Sequence, residues 1–154
     1  MGNGRVIKAG DLQYISAGRG ILHSEFNPSP KNRVHFLQIW LTPQTTGGEP
    51  RYEEKALGTD AKQNALTLLF AGKPRDGAMG IRAEAEIYFG KLDSGQRLVH
   101  QPAAKRAQWI HVIGGDVAIS GERFETGDSA AIENANELEI RSQTGAQFLL
   151  FDLK

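Results

Sequence analysis

An imidazole and a carboxylate stand two residues apart in Ile21-Leu22-His23-Ser24-Glu25-Phe26. Both are ligands for first-row divalent metals. On a β-strand, side chains at i and i+2 share a face. Ile21, His23 and Glu25 then point one way, and Leu22, Ser24 and Phe26 the other. Facing into a barrel, His23 and Glu25 are candidate metal ligands for Fe, Mn, Ni, Cu or Zn. Two ligands do not make a site. A buried His–Glu hydrogen-bonded pair without metal is the other reading of the same spacing.

The remaining chemistry-bearing residues read more plainly. Ala17-Gly18-Arg19-Gly20 lacks the Lys-Ser/Thr of a phosphate loop and precedes a strand pattern, so it is a turn. His35 lies in an apolar run, at a barrel edge or interface. His100 and His111 have no acidic neighbour in sequence and read as core or surface histidines. Trp109 and Phe89 fit core positions. There is no G-x-S-x-G elbow. The chain has no cysteine, which excludes a disulfide framework, a thiolate metal site and a Cys nucleophile.

Short apolar or alternating runs must position these residues, because few segments sustain a helical period. Strands are expected near Val6–Ile7, Leu12–Ile15, Ile21–Phe26, Val34–Leu41 and Leu66–Phe70. More follow near Ala85–Leu92, Arg97–His100, Trp109–Ile113, Asp116–Ser120, Ala130–Ile132, Leu138–Ser142 and Gln147–Leu153. Eighteen glycines, with Pro, Asn and Asp, punctuate them. Many short strands with regular turn signals mean an all-β sandwich or barrel. Residues 42–64 are polar, with Pro43, Gly47, Gly48 and Pro50, and read as a linker. The run Arg51-Tyr52-Glu53-Glu54-Lys55 is then solvated linker.

At 154 residues and 40% hydrophobic composition the chain can bury a core as one domain or two very small ones. Eighteen Lys+Arg balance eighteen Asp+Glu. That balance gives no general field for nucleic acid or anionic lipid. No run approaches the ~18 apolar residues of a membrane span. The N-terminus has neither region of a signal peptide. The expectation is a soluble, cytoplasmic protein.

The chain also repeats itself. Gly4 to Ile15 can be laid over Gly121 to Ile132, both reading G-x5-G-D-x3-I at an offset of 117. His35 to Leu41 resembles Gln147 to Leu153 at an offset of 112. Two elements in the same order indicate duplication. The offset of 117 sets Leu138, Ile140 and Ser142 opposite Ile21, His23 and Glu25, so the latter are expected to face a barrel interior. Strands from Leu66 to Ser120 precede the second copy, whereas Met1-Gly2-Asn3 precedes the first. The first module is therefore expected to be partial, or completed by another polypeptide.

The stretch G-D-x-Q-x-x-x-A-G-x-G-x-x-H-S-E, from Gly10 to Glu25, resembles the pirin family of bicupins. So do Phe36-Leu37-Gln38-Ile39-Trp40-Leu41, Pro50-Arg51-Tyr52-Glu53, and the ending Leu149-Leu150-Phe151-Asp152-Leu153. The resemblance implies an all-β cupin (jelly-roll) fold with one complete C-terminal barrel and a partial N-terminal one. It divides the chain into a partial N-terminal module at 1–41, a linker at 42–63 and a C-terminal cupin domain at 64–154. Family members hold one metal, usually iron, through an H-x-H pair plus the His and Glu of H-S-E. The last two map onto His23 and Glu25. No H-x-H exists in this chain, so the metal site is expected to be incomplete. The second barrel is metal-free in the family, in keeping with Ile140 and Ser142.

The implied activity is that of a quercetin (flavonol) 2,3-dioxygenase, with a flavonol-like small molecule as substrate and Glu25 doubling as the candidate catalytic base for its hydroxyl. The alternative is a non-enzymatic binding or regulatory module, like the transcription-cofactor members, or a truncated pirin without activity. No nucleic acid is expected to bind directly. An open half-barrel exposes strand edges and apolar faces, so a homodimer or strand exchange through residues 1–41 is expected.

Overall fold

The computed structural model describes residues 4–58 and 61–154. Those residues are built from eleven strands, and none of them lies in an α-helix. A two-stranded ribbon comes first: β1 (Asp11–Ser16) runs antiparallel to β2 (Arg51–Ala56). The other nine strands form a curled sheet. They are β3 (Ala65–Ala71), β4 (Met79–Gly80), β5 (Ala85–Leu92), β6 (Arg97–His100) and β7 (Ala107–Ile119), then β8 (Glu122–Glu125), β9 (Ser129–Ile132), β10 (Leu138–Arg141) and β11 (Ala146–Leu153). Their order is β4-β3-β5-β11-β7-β10-β6, with β8 and β9 also paired to β7. This is the jelly-roll, cupin-type architecture expected for the C-terminal barrel.

β7 curls the sheet. Its first half pairs with β11 and β9, and its second half with β8 and β10. Two separately expected strands thus merge into one. The register with β11 shifts between Gln147, opposite Gly114, and Phe148, opposite Val112, leaving Ile113 unpaired on β7, and such irregularities bend a strand.

Alternation along the strands makes two apolar faces. The barrel interior holds Ile110, Val112, Val117, Ile140, Phe148 and Leu150, all essentially inaccessible to water. Phe148 plugs this interior: a Cβ on Gly90, across the ladder, would lie 2.2 Å from its ring. On the other face Leu69, Phe70, Met79, Ile81, Ile87, Leu149 and Phe151 form a second cluster. Leu12, Tyr14, Leu41 and Leu57 pack on it, so the ribbon is docked on the barrel's outer wall. Phe89 joins this second cluster, but Trp109 points outward and is exposed.

Three expected strands do not form. Val6–Ile7, Ile21–Phe26 and Val34–Leu41 carry no ladder. A β-strand is stabilised by a neighbour that satisfies its backbone groups, and among the described residues nothing pairs with these. The stretch read as linker, by contrast, contains β2. Its charged side chains suit a ribbon with one wet face, and Gln13 Nε2 donates to Tyr52 Oη at 2.9 Å across the pair.

Candidate metal centre

His23 and Glu25 are reached through two tight turns. At Gly10-Asp11 the Asp11 carboxylate accepts the Lys8 backbone N–H at 2.8 Å, while Asp11 N–H donates to Lys8 O at 3.0 Å. β1 follows. Gly20 N–H then donates to Ala17 O at 2.8 Å, closing the 17–20 turn. That turn is no phosphate cradle: the Arg19 guanidinium is paired with the Glu49 carboxylate.

Beyond it the chain runs from 21 to 43 without a strand, and His23 and Glu25 are both exposed. The expectation that they face a barrel interior is not met in this chain. Their repeat counterparts show why. Ile140 is 0% exposed on β10, between β6 and β7, and Ser142, just past the end of that strand, is 2% exposed. Among the described residues no strand flanks positions 21–26, so the side chains from Leu22 to Phe26 are exposed. Phe26 is 82% and Trp40 86% exposed, in a strip that also includes Leu22, Val34, Phe36 and Ile39.

The donor set fits a divalent metal in type, one imidazole and one carboxylate. Its number does not complete a centre: no group of three or more His, Asp or Glu among the described residues is placed to hold a metal ion. His35 is exposed on the same segment. His111 shares a hydrogen bond with Ser129 Oγ at 2.9 Å.

His100 belongs to a polar cluster at one end of the C-terminal barrel. Its Nε2 lies 3.3 Å from Asp152 Oδ2, and Arg106 also binds that carboxylate. Burial pushes the Asp152 carboxyl up, but the hydrogen bonds from His100 and Arg106 outweigh it and hold the group below its ordinary range. Asp152 stands opposite Glu86 on one side and Gln108 on the other. Arg75 binds Glu86 in a fork, with one arm at 2.9 Å. That pairing, against the cost of burial and with help from the Tyr88 hydroxyl, holds the Glu86 carboxyl down at about 2. Burial first, then Glu86, pushes the Tyr88 hydroxyl up. The Tyr88 ring meets His100 edge-on at 5.5 Å. Apart from the Glu86–Tyr88 pair, two residues apart on β5, these links join residues distant in sequence or on separate strands, so no motif announced the cluster.

A jelly-roll barrel, with a second copy of its G-x5-G-D turn leading toward a His and a Glu, defines a cupin-class protein. A family model described as "Quercetinase C-terminal cupin domain" matches residues 68–153, and one described as "Pirin" matches residues 1–41. The chain belongs to the pirin family. It is 40% identical over 153 residues to the quercetin 2,3-dioxygenase of Escherichia coli K12, covering 99% of this chain and 65% of that protein. It is 30% identical to a pirin-like protein of Caulobacter vibrioides, over 99% of this chain and 66% of that one. Among solved structures it superimposes on YhhW from E. coli with a TM-score of 0.93 at 38% identity, covering the whole of this chain and 64% of that one. Bacterial pirin YhhW in complex with nickel(II) gives 0.92, over 99% of this chain and 65% of that one. A quercetin 2,3-dioxygenase from Acinetobacter baumannii shares the fold, with a TM-score of 0.71 at 21% identity. The chain thus spans a little under two thirds of its E. coli relative.

Proposed function

We propose that this chain is the metal-binding part of a quercetin 2,3-dioxygenase-like pirin, supplying His23 and Glu25 as two donors to a divalent metal. Nickel or iron fits an imidazole–carboxylate set, and Cu, Mn and Zn are the other candidates. When bound, the metal would supply Lewis acidity toward a flavonol oxygen. The chain's own residues would hold the ion from one side. Glu25 would in addition take the proton of the flavonol hydroxyl. The remaining donors would come from another polypeptide segment laid over the exposed strip at 22–40.

One observation carries this reading. The repeat counterparts of His23 and Glu25, at Ile140 and Ser142, are enclosed by neighbouring strands inside a finished barrel. Covering residues 21–26 in the same way would turn the imidazole and the carboxylate inward together. The names of the relatives and the nickel(II) complex of YhhW support the chemistry. Oxygen uptake with quercetin, after loading with nickel(II) or iron(II), is the test. Uptake that is lost in both His23→Ala and Glu25→Gln supports the reading, and uptake that survives both substitutions refutes it.

A second reading is a non-enzymatic binding module that joins a partner through the same strip. The observation favouring it is the set of uncovered apolar side chains Leu22, Phe26, Val34, Phe36 and Trp40. A second copy of this chain is the occupant we propose, either as a homodimer or by strand exchange through residues 1–41.

A further inference from the structure

Arg82 lies in the short connection between β4 and β5 and makes four contacts with the N-terminal third of the chain. Its backbone N–H donates to Tyr14 Oη at 3.1 Å, which fixes β1. Its carbonyl accepts the Gln44 N–H at 2.8 Å. Its guanidinium donates through Nη1 to Gly47 O at 3.1 Å and through Nη2 to Glu49 O at 3.4 Å.

The loop it holds is the seat of another. Gly48 O accepts the Arg19 N–H at 3.0 Å, and the Arg19 side chain pairs with Glu49. Gly18 sits flush against this loop. A Cβ there would lie 2.4 Å from Gly48 O and 2.8 Å from Pro50 N, and its φ of +55° already disfavours other residues. The 17–20 turn is therefore seated backbone to backbone on residues 48–50.

These contacts bracket the segment that carries the candidate donors. Its upstream end, at Gly18 and Arg19, is held by Gly48, and Gly48 stands between the two residues whose carbonyls Arg82 binds. Its downstream end, at Gln44, is held by Arg82 directly. Between them residues 21–43 have no strand of their own. Where His23 and Glu25 leave the barrel wall is thus referred at both ends to one residue, upstream through the Arg82 guanidinium and downstream through its backbone carbonyl.

We propose that Arg82 is a positioning residue for the His23–Glu25 segment, acting through the seat that Gly48 offers to Gly18. The proposal rests on the reading of His23 and Glu25 as metal donors. The planar fork of arginine spans two carbonyls, whereas the point charge of lysine does not reproduce that geometry. Lysine at 82 therefore falls short of rescue.

The test compares Arg82→Gln, Arg82→Lys, Gly18→Ala and His23→Ala in the intact chain, using nickel(II) alone as the probe. Nickel affinity is measured by calorimetry, and amide hydrogen exchange is followed at Arg19 and along β5 and β11. The expected result is faster exchange at Arg19 in Arg82→Gln and Gly18→Ala, with β5 and β11 unchanged. Nickel affinity should fall roughly 10-fold in both, the scale set by losing an outer support of a ligand, and Arg82→Lys should lie nearer Gln than the parent. Unchanged exchange at Arg19 in Arg82→Gln overturns the clamp. Faster exchange with parental nickel affinity, where His23→Ala does weaken nickel, overturns the positioning role. If His23→Ala leaves nickel binding intact, the metal-donor reading falls instead, and the exchange at Arg19 still decides whether the clamp exists.

Discussion

Asp11 and Asp128 close the same turn, 117 residues apart. Each carboxylate accepts the backbone N–H of the residue three before it, Lys8 and Glu125, at 2.8 Å. Each backbone N–H donates back to that residue's carbonyl. The preceding glycines, Gly10 and Gly127, have φ of +87° and +95°, a conformation that glycine adopts without steric cost. The duplication is therefore physical at the turn as well as in sequence. It gives positions 140 and 142 their value as a guide to positions 23 and 25.

The finished barrel depends on one large side chain at its centre. Phe148 is wholly buried and fills the space that Gly90 leaves open. Phe148→Ala should destabilise the chain by about 3–5 kcal/mol, the usual cost of emptying so large a core site. Gly90→Ala should also destabilise it, because the added methyl meets the ring. Urea titration of both variants checks this. A variant Phe148→Ala with parental stability would show that the interior is not packed around this ring.

The exposed strip predicts association. With Phe26, Phe36 and Trp40 in water, chains at micromolar concentration should dimerise. Trp40 fluorescence should shift to the blue as concentration rises. Replacing Phe26 and Trp40 by serine should weaken association without unfolding the barrel, since neither residue belongs to its two apolar clusters. Light scattering that finds a monodisperse monomer contradicts the prediction.

Acid should unfold the chain through the carboxylates of the barrel end. Glu86 is held at about 2 by Arg75, and Asp152 is held low by His100 and Arg106 against its burial. Asp116 is held low chiefly by the Thr144 hydroxyl. In the unfolded chain such groups take up protons near pH 4. Each folded value is depressed, so the stabilisation is present above about pH 5 and is lost as pH falls toward 2. Each kcal/mol of stability so lost corresponds to roughly 2–4 °C in Tm for a chain of this size. Calorimetry from pH 6 to 2 reads this, and Arg75→Gln should flatten the slope. A Tm independent of pH over that window contradicts it.

Much of the C-terminal half was legible in its sequence. β5 and β6 lie at the residues where alternation put them, because both strands have buried neighbours that make the alternation a selected pattern. β2 was hidden behind its charges: Arg51-Tyr52-Glu53-Glu54-Lys55 reads as solvated chain until β1, far upstream, supplies a partner. The opposite failure occurred at Ile21–Phe26, where the pattern is that of a strand but no described residue offers a ladder. Residue types named the donors at 23 and 25, but burial depends on neighbours that this segment lacks. Arg82 carried no local signal at all, since its partners Tyr14, Gln44, Gly47 and Glu49 lie in other segments.

The most direct test of the central claim is a nickel(II) titration of the parent chain beside His23→Ala and Glu25→Gln, followed by calorimetry. The account predicts that each substitution weakens the tightest binding event by at least ~10-fold, the loss expected for removing a ligand or its support. Binding of equal strength in all three proteins would contradict it.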